Sequence, residues 1–279
     1  MKTLELADRK IETSNDAFVM GIVNCTNDSF YVKSRMTAND ALKLIDEGAD
    51  ILDIGGESTR PGSKYIGEEE ELKRIIPVIK EIRKYSSIPI SVDTRKKNVM
   101  EQALDAGADI LNDISAMEDD NRMVELAADR KIPVILMHKR STPKDMQSKE
   151  NTAYRDVFAE VNAYLKERVN VCLENGIKQN KIIVDPGIGF AKNLEQNKIL
   201  VSRCGELLDG KYPVLMGLSR KSFLGEITGK KTKELLAATL TANLISFQNG
   251  ATFFRVHDVS SCVDTLAVIK SFRESNLIK

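Results

Sequence analysis

The sequence predicts a single closed (β/α)8 barrel. Short apolar runs rich in β-branched residues alternate with longer segments of helical period along the whole chain. There are eight such runs, and a helical segment follows each of them. The length of 279 residues suits one barrel of this type, and no linker or low-complexity stretch divides the chain. We therefore expect one domain over residues 1–279.

The predicted strands are short, and most end on or next to a polar residue. From the amino terminus they cover FVMGIVN (18–24), DILDIG (50–55), IPISVD (88–93), DILND (109–113), IPVILMH (132–138), KIIVD (181–185), PVLMGL (213–218) and ATFFRVH (251–257). The predicted helices lie after these strands, around 38–48, 68–85, 96–106, 120–130, 152–174, 194–208, 232–248 and 260–274. Glycine follows several helices, as in EGAD (47–50) and AGAD (106–109), where a left-handed residue ends the last turn.

An open, doubly wound sheet is the competing fold. It would carry a glycine-rich loop after its first strand, and residues 24–35 contain no glycine. The GIG sequence at 187–189 follows a strand but lacks the third glycine of a dinucleotide-binding loop. The barrel is therefore the favoured fold.

The charge balance excludes several functions. The chain has 41 Lys and Arg against 41 Asp and Glu, so it lacks the basic excess of a nucleic-acid-binding protein, and membrane-surface binding is no better supported.

No apolar run is long enough to span a membrane, and residues 1–17 lack the apolar core of a signal peptide. The four cysteines stand far apart without a metal-binding or disulfide pattern. We expect a cytoplasmic protein.

The carboxyl ends of the strands, where the active site of such a barrel lies, are polar in this chain. They carry Asn24, Glu57–Arg60, Asp93, Asn112 with Asp113, His138, Asp185, Ser219–Lys221, and Arg255 with His257. Asp93, Asn112 and Asp185 each end an apolar strand, where an unpaired polar group is costly, so together they favour a planar hydrogen-bonding ligand. Capping of a helix or turn is the alternative, and it is favoured for Asp113 and Asp258.

Basic residues at the same strand ends favour an anion as a second part of the ligand. Arg60, Lys221, Arg255 and His257 cluster there in a chain without net charge, and guanidinium groups suit phosphate oxygens. Arg255 and His257 are two residues apart on one strand and therefore point to the same side. Arg220 is equally well explained as a solvated loop charge. The residues alone thus predict a mouth that binds a heterocycle and an anion, without specifying the chemistry.

The same segments resemble the dihydropteroate synthases over nearly the whole chain. The matching segments occur in that family's order and spacing: MGIVNCTNDSF (20–30), DIGGESTRPGS (53–63), SVDTRK (91–96), NDIS (112–115), LMH (136–138), DPGIGF (185–190), SRKSFLG (219–225) and RVHDV (255–259). The resemblance implies a transferase of folate biosynthesis, in which p-aminobenzoate attacks the exocyclic methylene of a dihydropterin diphosphate and pyrophosphate leaves. It also implies a homodimer.

The resemblance assigns roles to the strand-end residues. The implied site for the pterin diphosphate comprises Thr59, Asp93, Asn112, Met137, Asp185, Lys221, Arg255 and His257. The residues implied in catalysis are Asp93, Asp185, Lys221, Arg255 and His257. The p-aminobenzoate side would be lined by Thr59, Arg60, Lys221 and Ser222. Asn24 would hold Mg2+ together with the diphosphate, which suits the oxygen ligands that magnesium prefers.

Two other functions remain open. The family reads T-P-D-S-F-S-D-G-G in its first loop, whereas residues 26–34 read TNDSFYVKS, so Val32 stands where the family has an aspartate. This difference leaves room for a pterin-binding paralogue with weak or no synthase activity. A methyltetrahydrofolate-dependent methyltransferase on a similar barrel is the other alternative, and the RVHDV and SRKS segments argue against it.

Overall fold

The computed structural model describes residues 2–25, 32–59, 62–142 and 144–275. Its strands are β1 (Lys2–Glu5), β2 (Lys10–Thr13), β3 (Phe18–Asn24), β4 (Ile51–Gly55), β5 (Ile90–Asp93), β6 (Ile110–Asp113), β7 (Val134–Met137), β8 (Ile182–Asp185), β9 (Leu215–Met216) and β10 (Phe253–Val256). Its helices are α1 (Val32–Asp46), α2 (Glu68–Arg83), α3 (Lys97–Asp105), α4 (Arg122–Asp129), α5 (Val157–Glu174), α6 (Leu194–Ser202), α7 (Ser222–Thr228), α8 (Leu236–Gln248) and α9 (Val259–Glu274).

Eight of these strands form one parallel sheet in the order β8-β7-β6-β5-β4-β3-β10-β9. A bridge between Val184 and Val214 joins the region of β8 to that of β9, so the sheet curves round into a barrel. Each of the eight predicted strands is present, with the ends trimmed by a few residues in most cases. The (β/α)8 prediction is therefore confirmed.

The lower part of the barrel is filled by apolar side chains from its own strands. Phe18 of β3 stacks on Phe253 of β10 with ring centroids 4.7 Å apart. The other strand residues of this cluster are Met20, Ile51, Ile110, Ile135, Ile183 and Leu215, all buried. Because the lower layers are apolar and close-packed, polar groups inside the barrel are confined to its upper, carboxyl end.

The amino-terminal hairpin closes the lower end of the barrel and was not predicted. β1 pairs antiparallel with β2, and Leu4 and Leu6 join the apolar cluster inside the barrel. In the sequence the charged Glu5 separates these two leucines, and such alternation is typical of a short ribbon with one buried face. Four residues per strand are too few for such a pattern to be identified with assurance.

The predicted helices are present, with two differences in the last third of the chain. The helix predicted over 194–208 ends at Ser202 as α6, and the chain then turns through 204–210 with Leu208 and Asp209 at positive φ. The additional helix α7 lies between β9 and α8 and was not predicted. It has only seven residues and contains Gly225, so it is too short to show a helical period.

Candidate active site

Four neighbouring strands bring residues at or next to their ends to the same level of the barrel mouth. Asn24 on β3 lies opposite Gly55 on β4, and Gly55 lies opposite Asp93 on β5. Asp93 in turn lies opposite Asn112 on β6. The parallel register thus assembles residues that are far apart in the sequence, as the strand-end argument predicted.

Arg255 on β10 reaches across the mouth and binds two carboxylates. Its Nε donates to Oδ2 of Asp53 at 2.6 Å, and its Nη2 donates to Oδ2 of Asp93 at 3.0 Å. The amide of Asn112 donates to both oxygens of Asp53 at 3.3 Å. Asp53, Asp93, Asn112 and Arg255 therefore form one connected polar layer above the apolar interior.

Asp53 is a site residue that the sequence analysis missed. It is completely buried, and it lies inside the predicted strand 50–55 instead of at its end. The available signal was an aspartate within the apolar run ILDIG, because a buried carboxylate is costly unless it is paired. Its partner Arg255 is 202 residues away in the sequence, so only barrel closure reveals the pair.

Burial controls the protonation of Asp93. It raises the pKa of Asp93 to about 7; Arg255 acts in the opposite direction, while the nearby carboxylates of Asp53, Glu71 and Asp113 raise the pKa further. Burial by itself would lower the pKa of Arg255, but Asp53 and Asp93 outweigh it and raise that pKa. The guanidinium therefore stays charged, whereas Asp93 titrates near neutrality. A positive charge brought to the mouth would stabilise the ionised form of Asp93.

Asp185 ends β8 on the opposite side of the mouth. Its Oδ1 accepts a hydrogen bond from the backbone N–H of Gly187 at 2.7 Å. Burial raises the pKa of Asp185, and Lys221, Lys192 and Arg255 lower it. The Lys221 ammonium lies over the ring of Phe190, 4.5 Å from its centroid.

His257 is oriented by Ser219. The Ser219 hydroxyl accepts from the backbone N–H of His257 at 3.2 Å and lies 3.0 Å from its Nδ1. When the serine hydroxyl donates its own proton to Nδ1, a neutral His257 carries its ring proton on Nε2. His257 can therefore donate to an anion even when it is uncharged.

Asp113 fits the capping alternative, whereas Asp258 does not. Asp113 caps the turn after β6: its carboxylate accepts from the backbone of Ser115 at 2.7 Å and of Met117 at 3.0 Å, as predicted. The capping prediction for Asp258 was wrong, since its side chain makes no cap hydrogen bond at the start of α9. It instead binds Arg220, whose Nη2 donates at 2.7 Å and Nε at 3.1 Å, so Arg220 is an ion-paired residue.

The remaining predicted residues are spread around this cluster. Met137 is buried at the end of β7, opposite Asp185 in the register. Thr59 is half-buried, and Ser222 is exposed as the first residue of α7. Arg60 lies outside the described residues, as do residues 26–31 of the first loop, and the side chain of Val32 is likewise not described.

A network of charged residues at the edge of the mouth was not predicted. Glu57 accepts from Nη2 of Arg95 and from Nζ of Lys96, each at 2.8 Å. Arg95 also lies 3.6 Å above the ring of Tyr65 and donates to Asp119 at 2.6 Å. Arg95 therefore contacts residues on both sides of Thr59 in the sequence.

The residues at the mouth fit a magnesium ion that takes few protein ligands. Among the described residues there is no group of three or more His, Cys, Asp and Glu side chains that could hold a metal. Asn24 is exposed at the end of β3 and carries an amide oxygen. An amide oxygen is one of the oxygen ligands that magnesium prefers.

In the described part of the chain, no helix has the length and apolar character needed to cross a membrane.

The chain is similar to proteins of one family over nearly its whole length. The model of the pterin binding enzyme family matches residues 20–257. The dihydropteroate synthase of Escherichia coli K12 is 42% identical over 260 residues, which cover 91% of this chain and 90% of that protein. The Xanthomonas albilineans dihydropteroate synthase with 4-aminobenzoic acid has a TM-score of 0.88 at 40% identity, over 97% of this chain and 98% of that one. The Yersinia pestis dihydropteroate synthase with a sulfonamide drug has a TM-score of 0.90 at 33% identity, over 98% of this chain and 100% of that one.

The barrel and its polar mouth define a pterin-binding enzyme, and the matches show that the chain belongs to this family. Within the family it belongs to the dihydropteroate synthases, which are transferases. The curated relatives from Escherichia coli and Bacillus subtilis are both synthases, which favours the synthase over the methyltransferase alternative.

Proposed function

We propose that the mouth of this barrel carries out the dihydropteroate synthase reaction with the residues of its polar layer. The reaction joins 6-hydroxymethyl-7,8-dihydropterin diphosphate to p-aminobenzoate and gives 7,8-dihydropteroate and pyrophosphate. The observation that carries the proposal is the convergence of Asp93, Asn112 and Asp185 with Arg255 at one end of an otherwise apolar barrel.

The pterin is bound by the carboxylates and the amide. The aminopyrimidinone edge of a pterin offers adjacent N–H donors, which Asp185 and Asp93 can accept, while Asn112 can both donate and accept. Lys221 can donate to the ring carbonyl or to a ring nitrogen. Because burial raises the pKa of both carboxylates, a ligand that carries or develops positive charge stabilises their ionised forms.

The diphosphate is bound by Arg255, His257 and Asn24. Arg255 uses Nε and Nη2 for Asp53 and Asp93, and its side chain remains 24% exposed toward the mouth. His257 offers an Nε2–H donor, and Asn24 would supply an amide oxygen to a bound Mg2+. When bound, this ion supplies positive charge for the oxygens of the leaving diphosphate.

The chemical step is a substitution at the exocyclic methylene carbon of the pterin. The bond from carbon to the diphosphate oxygen breaks with its electron pair remaining on that oxygen. The amine nitrogen forms the new bond to carbon and then releases a proton to the departing pyrophosphate. Asp93 and Asp185 stabilise positive charge on the pterin, and Arg255 and His257 stabilise negative charge on the leaving group. No protein nucleophile is needed, and burial raises the pKa of Cys25 to about 12, which keeps its thiol unreactive.

The second substrate is bound on the side of the mouth formed by Thr59, Lys221 and Ser222. The synthases of Xanthomonas albilineans and Thermus thermophilus have been solved with 4-aminobenzoic acid or 4-aminobenzoate, which supports a site of this kind here. The Phe190 ring beneath Lys221 offers an aromatic face to such a ligand.

We also propose that the enzyme is a cytoplasmic homodimer. The four cysteines are buried and unpaired, which suits a reducing compartment. The exposed face of helix α8 carries two large apolar side chains, Leu236 and Ile245, which are 39% and 42% exposed. Ile227 on the neighbouring α7 is 56% exposed and enlarges this apolar surface. Ile245→Glu should convert the dimer to a monomer in sedimentation, and an unchanged oligomeric state would contradict this interface.

The proposed reaction is tested by direct detection of its product. The purified enzyme with dihydropterin diphosphate, p-aminobenzoate and Mg2+ should form 7,8-dihydropteroate, which chromatography measures. Tight pterin binding in calorimetry together with no dihydropteroate would instead favour the non-catalytic paralogue.

A further inference from the structure

Lys192 is a buried lysine that the proposed mechanism does not use. It is only 2% exposed and follows the turn after β8. Its Nζ donates to the carbonyl oxygen of Phe190 at 2.8 Å and lies 3.0 Å from Nδ1 of His138. Burial, Lys192 and Arg140 lower the pKa of His138 to about 2, so the ring is neutral and its Nδ1 accepts from the amine. The amine thus joins the end of β7 to the turn after β8.

That turn fits closely against the end of β7. Gly187 has a φ of +70°, and a Cβ at this position would lie 1.9 Å from the carbonyl oxygen of His138. The N–H of Gly187 binds the carboxylate of Asp185. At the far end of the turn, the buried amide of Asn197 accepts from the N–H of Gly189 at 2.8 Å and donates to the carbonyl oxygen of Lys192 at 3.2 Å. The backbone between Asp185 and Lys192 is therefore held by buried polar contacts.

We propose that Lys192 is a positioning residue for pterin binding. By holding the carbonyl of Phe190 against the end of β7, it fixes the turn that begins at Asp185 and the ring on which the Lys221 ammonium lies. This inference rests on the proposed function, in which Asp185 and Lys221 bind the heterocycle. It adds a residue that touches no substrate and acts through those that do.

Lys192 also contributes to the electrostatic field at Asp185. Three basic groups face this carboxylate from different elements: Lys192 after the turn, Lys221 before α7 and Arg255 on β10. Lys192 itself faces Asp185, Lys221 and Arg140, and its burial lowers its pKa well below the ordinary value. In its protonated form Lys192 favours the ionised form of Asp185, so its removal should raise the pKa of Asp185.

Lys181 provides a matched control at the opposite end of the barrel. It is also buried, at 6% exposed, and its Nζ donates to the carbonyl oxygen of Leu6 at 2.9 Å and to that of Lys131. Lys181→Met and Lys192→Met therefore each remove the amine of a buried lysine. Lys181 lies near the amino-terminal hairpin, and Lys192 lies beside the mouth. A general effect of losing a buried amine would appear in both variants. An effect on pterin positioning would lower pterin affinity in Lys192→Met alone.

The test is the affinity for 6-hydroxymethylpterin, measured by calorimetry from about pH 5 to about pH 9. Lys192→Met should weaken binding about tenfold, the size of one hydrogen bond, and move the acidic limb of the affinity profile to higher pH. Lys181→Met should change neither. Wild-type affinity across the pH range in Lys192→Met, or an equal loss in Lys181→Met, would overturn the proposal.

Variants of His138 provide a second test if Lys192→Met does not fold. His138→Asn places an amide oxygen near the position of Nδ1 and should keep pterin affinity, while His138→Leu removes the acceptor and should lower it. Equal affinity in these two variants would contradict the role of Lys192.

Asp185→Asn separates this inference from the proposed function. If Asp185→Asn keeps its affinity for the pterin, the pterin site itself is wrong. If Asp185→Asn loses affinity and Lys192→Met does not, only the role of Lys192 is wrong.

Discussion

Arg255 is held between Asp53 and Asp93, with its Nε 2.6 Å from one carboxylate and its Nη2 3.0 Å from the other. The pair with Asp53 fixes the guanidinium from below, where the carboxylate is completely buried. The contact with Asp93 connects the group proposed to bind the diphosphate to a group proposed to bind the pterin. The proposed sites for the diphosphate and for the pterin are therefore joined by one set of hydrogen bonds.

Arg255→Lys should weaken binding of the diphosphate more than binding of the pterin. Lysine keeps the charge, but it cannot contact two carboxylates and an anion in one plane. We expect the KM for dihydropterin diphosphate to rise roughly tenfold or more. Calorimetry with a pterin that lacks the diphosphate is the control, and an equal loss of affinity for both ligands would remove the anion-binding role of Arg255.

Lys221→Ala should lower kcat/KM by at least about tenfold with little loss of stability. Lys221 is only partly buried, and its ammonium contacts the Phe190 ring at the mouth. Steady-state kinetics and urea unfolding measure the two effects separately. An unchanged catalytic efficiency would reject the role assigned to Lys221.

Arg95→Ala should raise the KM for p-aminobenzoate and leave pterin affinity nearly unchanged. Arg95 binds Glu57 and stacks on Tyr65, so its loss releases the chain on both sides of Thr59. We expect an increase of about tenfold, the size of one charge-assisted contact. Arg122→Ala, which removes an exposed arginine paired with Asp120, is the matched control. A similar rise in the control variant, or an equal effect on the pterin, would show that Arg95 has no selective role.

The stability of the ligand-free enzyme should depend on pH through Asp93. Its pKa is raised from 3.8 to about 7 in the fold, so between these values the folded protein keeps a proton that the unfolded chain releases. The contribution of Asp93 to the free energy of unfolding therefore falls as pH rises through this window. Urea unfolding at two pH values gives the free energy of unfolding of Asp93→Asn minus that of the wild type. This difference should be more favourable to the variant at about pH 8 than at about pH 4.5. A stability difference that does not change with pH would contradict the raised pKa.

The sequence was sufficient for the barrel and for part of its mouth. Asp93, Asn112 and Asp185 could be found because a polar residue at the end of an apolar strand has a known location once the strands are parallel. Asp53 could not be found in this way, because it is not at a strand end. Its place in the polar layer depends on its pairing with Arg255, which lies 202 residues later in the sequence. Lys192 lies in a turn, where a lysine is ordinarily exposed. Its burial against His138 becomes evident only in the folded structure.

The capping prediction for Asp258 failed for a related reason. Arg220 has a φ of +59°, and its guanidinium reaches the Asp258 carboxylate from another strand end. Such a pair depends on backbone geometry that the sequence does not reveal. Helix-capping preferences describe only local contacts, so they cannot anticipate a competing partner 38 residues away.

The most direct test of the central claim is the release of pyrophosphate from dihydropterin diphosphate, with and without p-aminobenzoate. The polar layer of Asp93, Asn112, Asp185 and Arg255 is proposed to activate the pterin for attack by the aryl amine. We predict that release depends on added p-aminobenzoate in the wild-type enzyme and is strongly reduced in Asp185→Asn. Release at the same rate without p-aminobenzoate, or an undiminished rate in Asp185→Asn, would contradict the account.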